Sequence, residues 1–196
     1  MKNISVVVIF VLFIIIFSAC KKETKCPAFD MNDLAEFTYR NTDTISFEND
    51  SAGLFQIFIS QIDYSLPYTY ECRDLYNVCP CINYAEAIAT DTKTPVPYTF
   101  LRMEQSDVSD MQYFKYNVRG FEFEFDFRNE LPCIDQMDQF KHYSSMAIGN
   151  VVYDDVIVIF NVNIGGPDIS RVFFNKQNGV LQFIERSTNT AWRLKK

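Results

Sequence analysis

The chain has 196 residues, a net charge of −7 and 16% aromatic residues, with 19 Phe and 11 Tyr against a single Trp. The acidic balance disfavours nucleic acid and anionic lipid surfaces as partners, because both are recognised through basic patches. Only 6 Gly occur, which leaves little room for glycine-rich phosphate loops, and the aromatic load suits pleated sheet better than helix.

The first element is a leader. Met1-Lys2-Asn3 carries one positive side chain, and Ile4 to Phe17 is an apolar run interrupted only by Ser5. That run is shorter than the roughly 20 residues a membrane-spanning helix requires and has the layout of a secretory signal peptide over residues 1–19. Phe17-Ser18-Ala19-Cys20 follows, then the abruptly polar Lys21-Lys22-Glu23-Thr24-Lys25. This segment resembles the lipobox of bacterial lipoproteins, with Phe17 standing where leucine is usual. The resemblance implies a thioether-linked diacylglycerol on the Cys20 sulfur, cleavage after Ala19 and anchorage to a membrane of the bacterial cell envelope. The domain would then face the periplasm or the cell exterior. Each buried acyl methylene contributes about 0.8 kcal/mol and two or more chains anchor stably, so the mature protein is expected to be tethered rather than embedded. Loss of Lys2 with the leader takes the net charge from −7 to −8.

Residues 20–33 read as the lipidated N-terminus and a polar tether, and 34–196 as one β-rich domain large enough for a real core. Export places Cys26, Cys72, Cys79, Cys81 and Cys133 in an oxidising compartment where disulfides persist. Their number is odd, so one thiol is left over. Cys72, Cys79, Cys81 and Cys133 are the disulfide candidates and Cys26, on the tether, is the expected free thiol. The pairing among the four stays open, although Cys79 and Cys81 are separated only by Pro80 and fit each other poorly.

Short strands separated by turn residues then follow one another. Thr44 to Phe47 alternates and ends in the turn Asn49-Asp50-Ser51-Ala52-Gly53. Leu54 to Ile62 and Tyr68 to Cys72 are strands, whereas Tyr84 to Ala89 fits either a strand or a short helical turn near 83–90. Tyr98 to Met103 and Met111 to Val118 form a hairpin. Phe121 to Arg128 is the clearest strand: period-two alternation sets four phenylalanines against Glu122, Glu124, Asp126 and Arg128. Phe140 to Ile148 and Val151 to Phe160 flank the turn Gly149-Asn150. Ile164 to Asp168 is a loop, and Ile169 to Phe174, Val180 to Glu185 and Thr190 to Leu194 close the chain as a meander. This aromatic strand, glycine turn and closing tryptophan strand resemble the ending of many small bacterial lipoproteins, in which they complete an antiparallel sheet. The expected fold is all-β, a single antiparallel β-sandwich or a strongly curved, partly closed sheet.

Candidate chemistry is thin. Cys72, Cys79 and Cys81 lack a second matching pair for a metal, and His142 is the only histidine. Glu122 and Glu124 sit two apart on a strand, ~6.6–7 Å, near the ~6.5–9.5 Å spacing of an inverting glycosidase. A solvated sheet face is the simpler reading of these carboxylates. Asp43-Thr44-Ile45 and Asp50-Ser51-Ala52 resemble a short O-glycosylation acceptor motif of some exported bacterial proteins, which makes Thr44 and Ser51 candidate attachment points. No nucleophile elbow, zinc-protease or phosphate-loop pattern occurs. The sequence therefore reads as a non-enzymatic envelope module binding a protein or glycan partner, with no catalytic residues, metal or cofactor. A carrier of an apolar ligand is the second reading and a glycan-acting enzyme the third. Replacement of Cys20 by serine is expected to abolish incorporation of labelled fatty acid and shift the protein from the membrane to the soluble fraction; retained membrane partitioning of a processed product would refute the lipid anchor.

Overall fold

The computed structural model describes residues 22–30, 32, 38–72, 81–93, 95–106, 112–126, 131–133 and 138–195. Their strands are β1 (Lys22–Cys26), β2 (Thr44–Glu48), β3 (Leu54–Tyr64), β4 (Tyr68–Cys72), β5 (Ile82–Asp91), β6 (Tyr98–Ser106) and β7 (Gln112–Val118). They continue as β8 (Phe121–Asp126), β9 (Leu131–Cys133), β10 (Asp138–Ile148), β11 (Val151–Asn161), β12 (Ile169–Asn175), β13 (Gly179–Glu185) and β14 (Ala191–Leu194). No helix occurs among the described residues, so the fold is all-β. The helical alternative for 83–90 is not adopted. Ala85, Ala87 and Ala89 alternate inward along β5 and are fully buried, so packing overrides alanine's helix preference.

Twelve strands form one antiparallel sheet in the order β10-β11-β12-β13-β14-β2-β3-β5-β6-β7-β8-β9. Neighbours in the chain are neighbours in the sheet, with β4 bypassed by the β3–β5 ladder and β14 returning to pair with β2. The result is an up-and-down meander closed through its two ends and left with a seam between β9 and β10, where no ladder joins the described residues. Of the two expected architectures it is the curved, partly closed sheet.

The curl follows from where the rings go. Phe174 of β12 lies 4.9 Å from the Tyr116 ring of β7, and 5.9 and 5.3 Å from Phe123 and Phe125 of β8, so opposite walls meet through aromatic contacts. Phe47, Phe55, Phe183 and Trp192 pack edge-on and stacked at centroid distances of 5.2 to 6.3 Å in the same interior. Such pairs add about 0.5–1.5 kcal/mol each beyond burial. The alternation of β8 holds for Phe121, Phe123 and Phe125 inside and Glu122 and Glu124 outside, but Asp126 is buried and not on the wet face as expected. Phe127 and Arg128 lie outside the described residues.

A second apolar cluster sits on the outer face of β11–β14. Ile148 and Tyr153 from the β10–β11 hairpin pack there with Phe173, Leu181 and Ile184. The hairpin reaches this face because the Ser144/Asp155 rung of its ladder is missing and Asp155 takes a left-handed φ of 52°, which bends both strands. Bulges between Ile169 and Arg171 and between Phe173 and Phe174 shift the registers so that β13 buries all seven of its residues against two cores.

The N-terminal stretch expected as a tether is instead folded into the molecule. β1 pairs with β4, Phe29 is buried in the main core, and its N–H donates to the Ser65 carbonyl at 3.0 Å. Cys26, expected to be the free thiol, is bridged to Cys81. The reason is geometric: β1 brings Cys26 opposite Tyr68 at the foot of the β3–β5 connection, beside the start of β5. With the half-cystines 55 positions apart, closure of that loop removes about 4 kcal/mol of unfolded-state entropy in the chain-entropy model. Cys72 and Cys133 end β4 and β9, while Cys20 and Cys79 lie outside the described residues.

Tyr39 completes this end. Its ring lies 5.2 Å from Phe100, its hydroxyl accepts the Val180 N–H at 3.1 Å, and burial pushes the phenol pKa far up, so the group stays neutral. Gly179 is required beneath it. Its φ is 70°, and a Cβ there would come 2.8 Å from the Tyr39 ring carbon Cζ and closer still to the hydroxyl. Gly179→Ala is expected to lower the unfolding free energy by about 2–4 kcal/mol, from left-handed strain plus displacement of Tyr39. Tyr39→Phe should cost about 1–3 kcal/mol by stranding a buried N–H. Urea titration of both variants measures this; an unchanged midpoint for Gly179→Ala would refute the close approach.

Candidate binding surface

Antiparallel alternation places the chain's described start, the Cys26–Cys81 bridge and the β12–β13 turn at one end of the curled sheet. The opposite, far end collects residues 49–53, 92–97, 119–120, 162–168 and 186–190. Several of these connections converge on Glu185, the last residue of β13. Its carboxylate, only 8% exposed, accepts hydrogen bonds from Lys93 at 2.9 Å, from Arg119, and from the Thr188 hydroxyl at 3.1 Å. Lys93 comes from the β5–β6 loop and Arg119 from the two-residue β7–β8 turn. Both turn residues have positive φ, 51° at Arg119 and 82° at Gly120, as a type I′ hairpin demands.

The two cations also cap the interior. Lys93 Nζ lies 5.3 Å from the Trp192 ring and the Arg119 guanidinium 5.6 Å from Phe55. Burial pushes the Glu185 pKa up, but the hydrogen bonds from Lys93 and Arg119, with the nearby Trp192 and the Arg119 charge, outweigh it and hold the group at about 2. Beside this network, burial and the nearby Asp91 carboxylate push the Tyr98 hydroxyl pKa up. Every charge in the network has a partner, and no nucleophile stands against a base. The arrangement caps the sheet's open mouth and fixes the loops around it.

The loop after β11 is the most firmly shaped of these. Asn161 donates to the Ile169 carbonyl at 2.9 Å while its Oδ1 accepts the Asn163 N–H at 3.0 Å. Asn163 Oδ1 in turn accepts the Gly165 N–H at 3.1 Å. Arg186 ties the loop from below through the carbonyls of Asn161 and Asn163 at 2.7 and 2.5 Å. Asp168 accepts both the Ser187 N–H and its hydroxyl, at 2.8 and 2.6 Å, and Pro167 packs within 3.6 Å of where a Gly120 Cβ would stand. On top of this fixed loop Ile164 is 87% exposed, flanked by exposed Val162, with Val96 exposed on the β5–β6 loop at the same end. Ile164 therefore contributes nothing to the fold's core.

The sequence-derived candidates lie elsewhere. Glu122 and Glu124 share Lys115 of β7, at 2.9 and 3.9 Å from its Nζ, on an exposed face. Glu122, with Thr99, Arg102, Glu104, Lys115 and Asn117, lines an open groove of about 310 Å³. Arg102 is itself held by Glu86 and Glu104 and stacks on Tyr84 at 4.3 Å. Lys115 across the ladder thus partly compensates the two carboxylates on this exposed face. His142, in β10, lies 3.6 Å from Asp155 beside the seam, both well exposed. Thr44 begins β2 and Ser51 sits on the β2–β3 turn, each with its side chain exposed. Among the described residues no group of three or more His, Cys, Asp or Glu could hold a metal ion.

Sequence reasoning missed Lys93, Arg119, Glu185 and Ile164. The first three are scattered over 93 positions of chain and meet only when the sheet curls. Ile164 carried a signal, an aliphatic residue inside an otherwise polar Gly-Gly-Pro-Asp loop. No family model, curated protein or solved structure matches this chain.

The depressed carboxyl of Glu185 ties stability to pH with a definite sign. A group whose folded pKa lies below its unfolded value of 4.5 contributes stability above that value and loses it as pH falls toward about 2. Wild-type protein is expected to lose about 3 kcal/mol through Glu185 between pH 5 and about 2. Glu185→Gln should start less stable at neutral pH and show a correspondingly shallower acid limb in urea titrations. Identical acid limbs for the two proteins would show that the network does not depend on this carboxylate.

Proposed function

We propose that this protein is a lipid-anchored module of the bacterial cell envelope that binds another protein through its far end and performs no catalysis. Anchorage rests on the lipobox-like Cys20, and the Cys26–Cys81 bridge fits an exported, oxidised compartment. The observation that carries the binding role is Ile164. It is an aliphatic side chain exposed to water on a loop already immobilised by Asn161, Asn163, Arg186 and Asp168, at the end opposite the anchor. Preorganisation spares a binding loop the entropy of ordering, and a single buried aliphatic or aromatic anchor commonly dominates an interface. Exposed Val162 and Val96 at the same end widen the apolar contact.

A glycan partner has one specific observation in its favour, the polar groove over β6–β8, whose acids and bases could hydrogen-bond hydroxyl groups. The carrier reading draws no support from the described interior, where Phe47, Phe55, Phe100, Phe125, Phe174 and Phe183 are fully buried against one another. The far-end surface is tested by cross-linking the acylated protein in envelope membranes and comparing wild type with Ile164→Asp. Loss of an anchor contact of about 2 kcal/mol reduces capture roughly 30-fold at unchanged thermal stability. Capture of the same species at undiminished yield by Ile164→Asp and Val96→Asp together would reject the far end as the binding surface.

A further inference from the structure

The end of the molecule nearest Cys20 carries its own exposed apolar side chains. Leu66 is 68% exposed, and Tyr64, Tyr68 and Ile82 beside it are also open to solvent. They form one patch: Tyr64, Leu66 and Tyr68 follow each other through the β3–β4 connection, and the Tyr68 hydroxyl both accepts the Ile82 N–H and donates to the Ile82 carbonyl at 3.1 Å. The Cys26–Cys81 bridge lies immediately beside them, since Cys26 is opposite Tyr68 and Cys81 precedes Ile82.

We infer that this patch rests on the surface of the membrane that holds the lipid anchor. The inference depends on acylation of Cys20, and three observations then point to lipid as the occupant. The chain from Cys20 to Cys26 can reach at most about 22 Å, and Cys26 is both paired against Tyr68 and disulfide-bonded, so the patch cannot leave the neighbourhood of the bilayer. The far end, by contrast, stands the length of the 11-residue β3 away, about 35 Å. Charge agrees locally although not globally: Lys21, Lys22 and Lys25 outnumber Glu23 in the linking segment, within a chain of net charge −7. Anionic headgroups attract such a segment, while tyrosines with an aliphatic residue between them are the side chains that settle at a headgroup–acyl boundary. The overall acidity of the protein, which by itself argues against lipid contact, then repels the rest of the surface and keeps the far end turned outward.

The test uses full-length acylated protein reconstituted into phosphatidylethanolamine–phosphatidylglycerol vesicles, with acylation established first by intact mass. Leu66→Trp and Ile164→Trp report the two ends; both retain the buried Trp192, which serves as a common background. Brominated acyl chains are expected to quench the added fluorescence of Leu66→Trp about twofold, as for a side chain seated at the headgroup–acyl boundary, and to leave Ile164→Trp unaffected. Equal quenching of the two variants on acylated protein overturns membrane apposition and leaves the anchor standing. Unmodified Cys20, with protein that fails to partition into vesicles, overturns both.

Discussion

Opposite walls of the sheet are joined by rings where no backbone ladder connects them. Phe174 on β12 reaches Tyr116, Phe123 and Phe125 on β7 and β8, across an interior that six intervening strands enclose. Hydrogen bonds run only between neighbouring strands, so they set spacing and register but not the radius of curvature. The radius is set by what fills the inside. Small residues at Ala85, Ala87 and Ala89 on β5 leave volume for large rings opposite, and interiors at crystal-like density tolerate little else. Truncating one of these rings typically costs about 3–5 kcal/mol, a large share of an ordinary domain's stability.

Both ends of this aromatic interior need closure, and the chain closes them by different means. At the end with the β12–β13 turn Phe29 and Tyr39 enter the core, covalently backed by Cys26–Cys81, and Tyr39 satisfies the buried Val180 N–H. At the far end a carboxylate with two cations lies over Trp192 and Phe55. A buried charge group of this kind is costly unless all its members are paired, and here they are. The consequence is a division of labour along the axis: the end with the Cys26–Cys81 bridge is covalently locked, and the far end is a framework of fixed loops.

Much of the fold was legible from local pattern. β4 spans Tyr68–Cys72 as read, β8 buries Phe121, Phe123 and Phe125 as its alternation requires, and the hairpin turns at Gly149 and before Gly179 fall where glycine permits a left-handed backbone. The misreadings share one cause. Lys22 to Cys26 shows no alternation of its own and becomes a strand only because β4 offers it an edge; Cys26 finds Cys81 through the same pairing. Asp126 is buried because β9 covers that rung of β8. β13 is a strand as read, but its burial on both faces follows from the two apolar clusters it meets and the bulge that shifts it midway. Of the candidate surface, only the Gly-Gly-Pro-Asp loop announced itself.

By itself, then, the amino-acid sequence determined the class of fold and the position of most strands, since alternation and turn chemistry are properties of consecutive residues. Curvature, the pairing of β14 with β2, the identity of the bridged cysteines and the meeting of Lys93, Arg119 and Glu185 were decided only in three dimensions. Each of these joins residues tens of positions apart, and such contacts exist only after ring packing has chosen how tightly the sheet rolls.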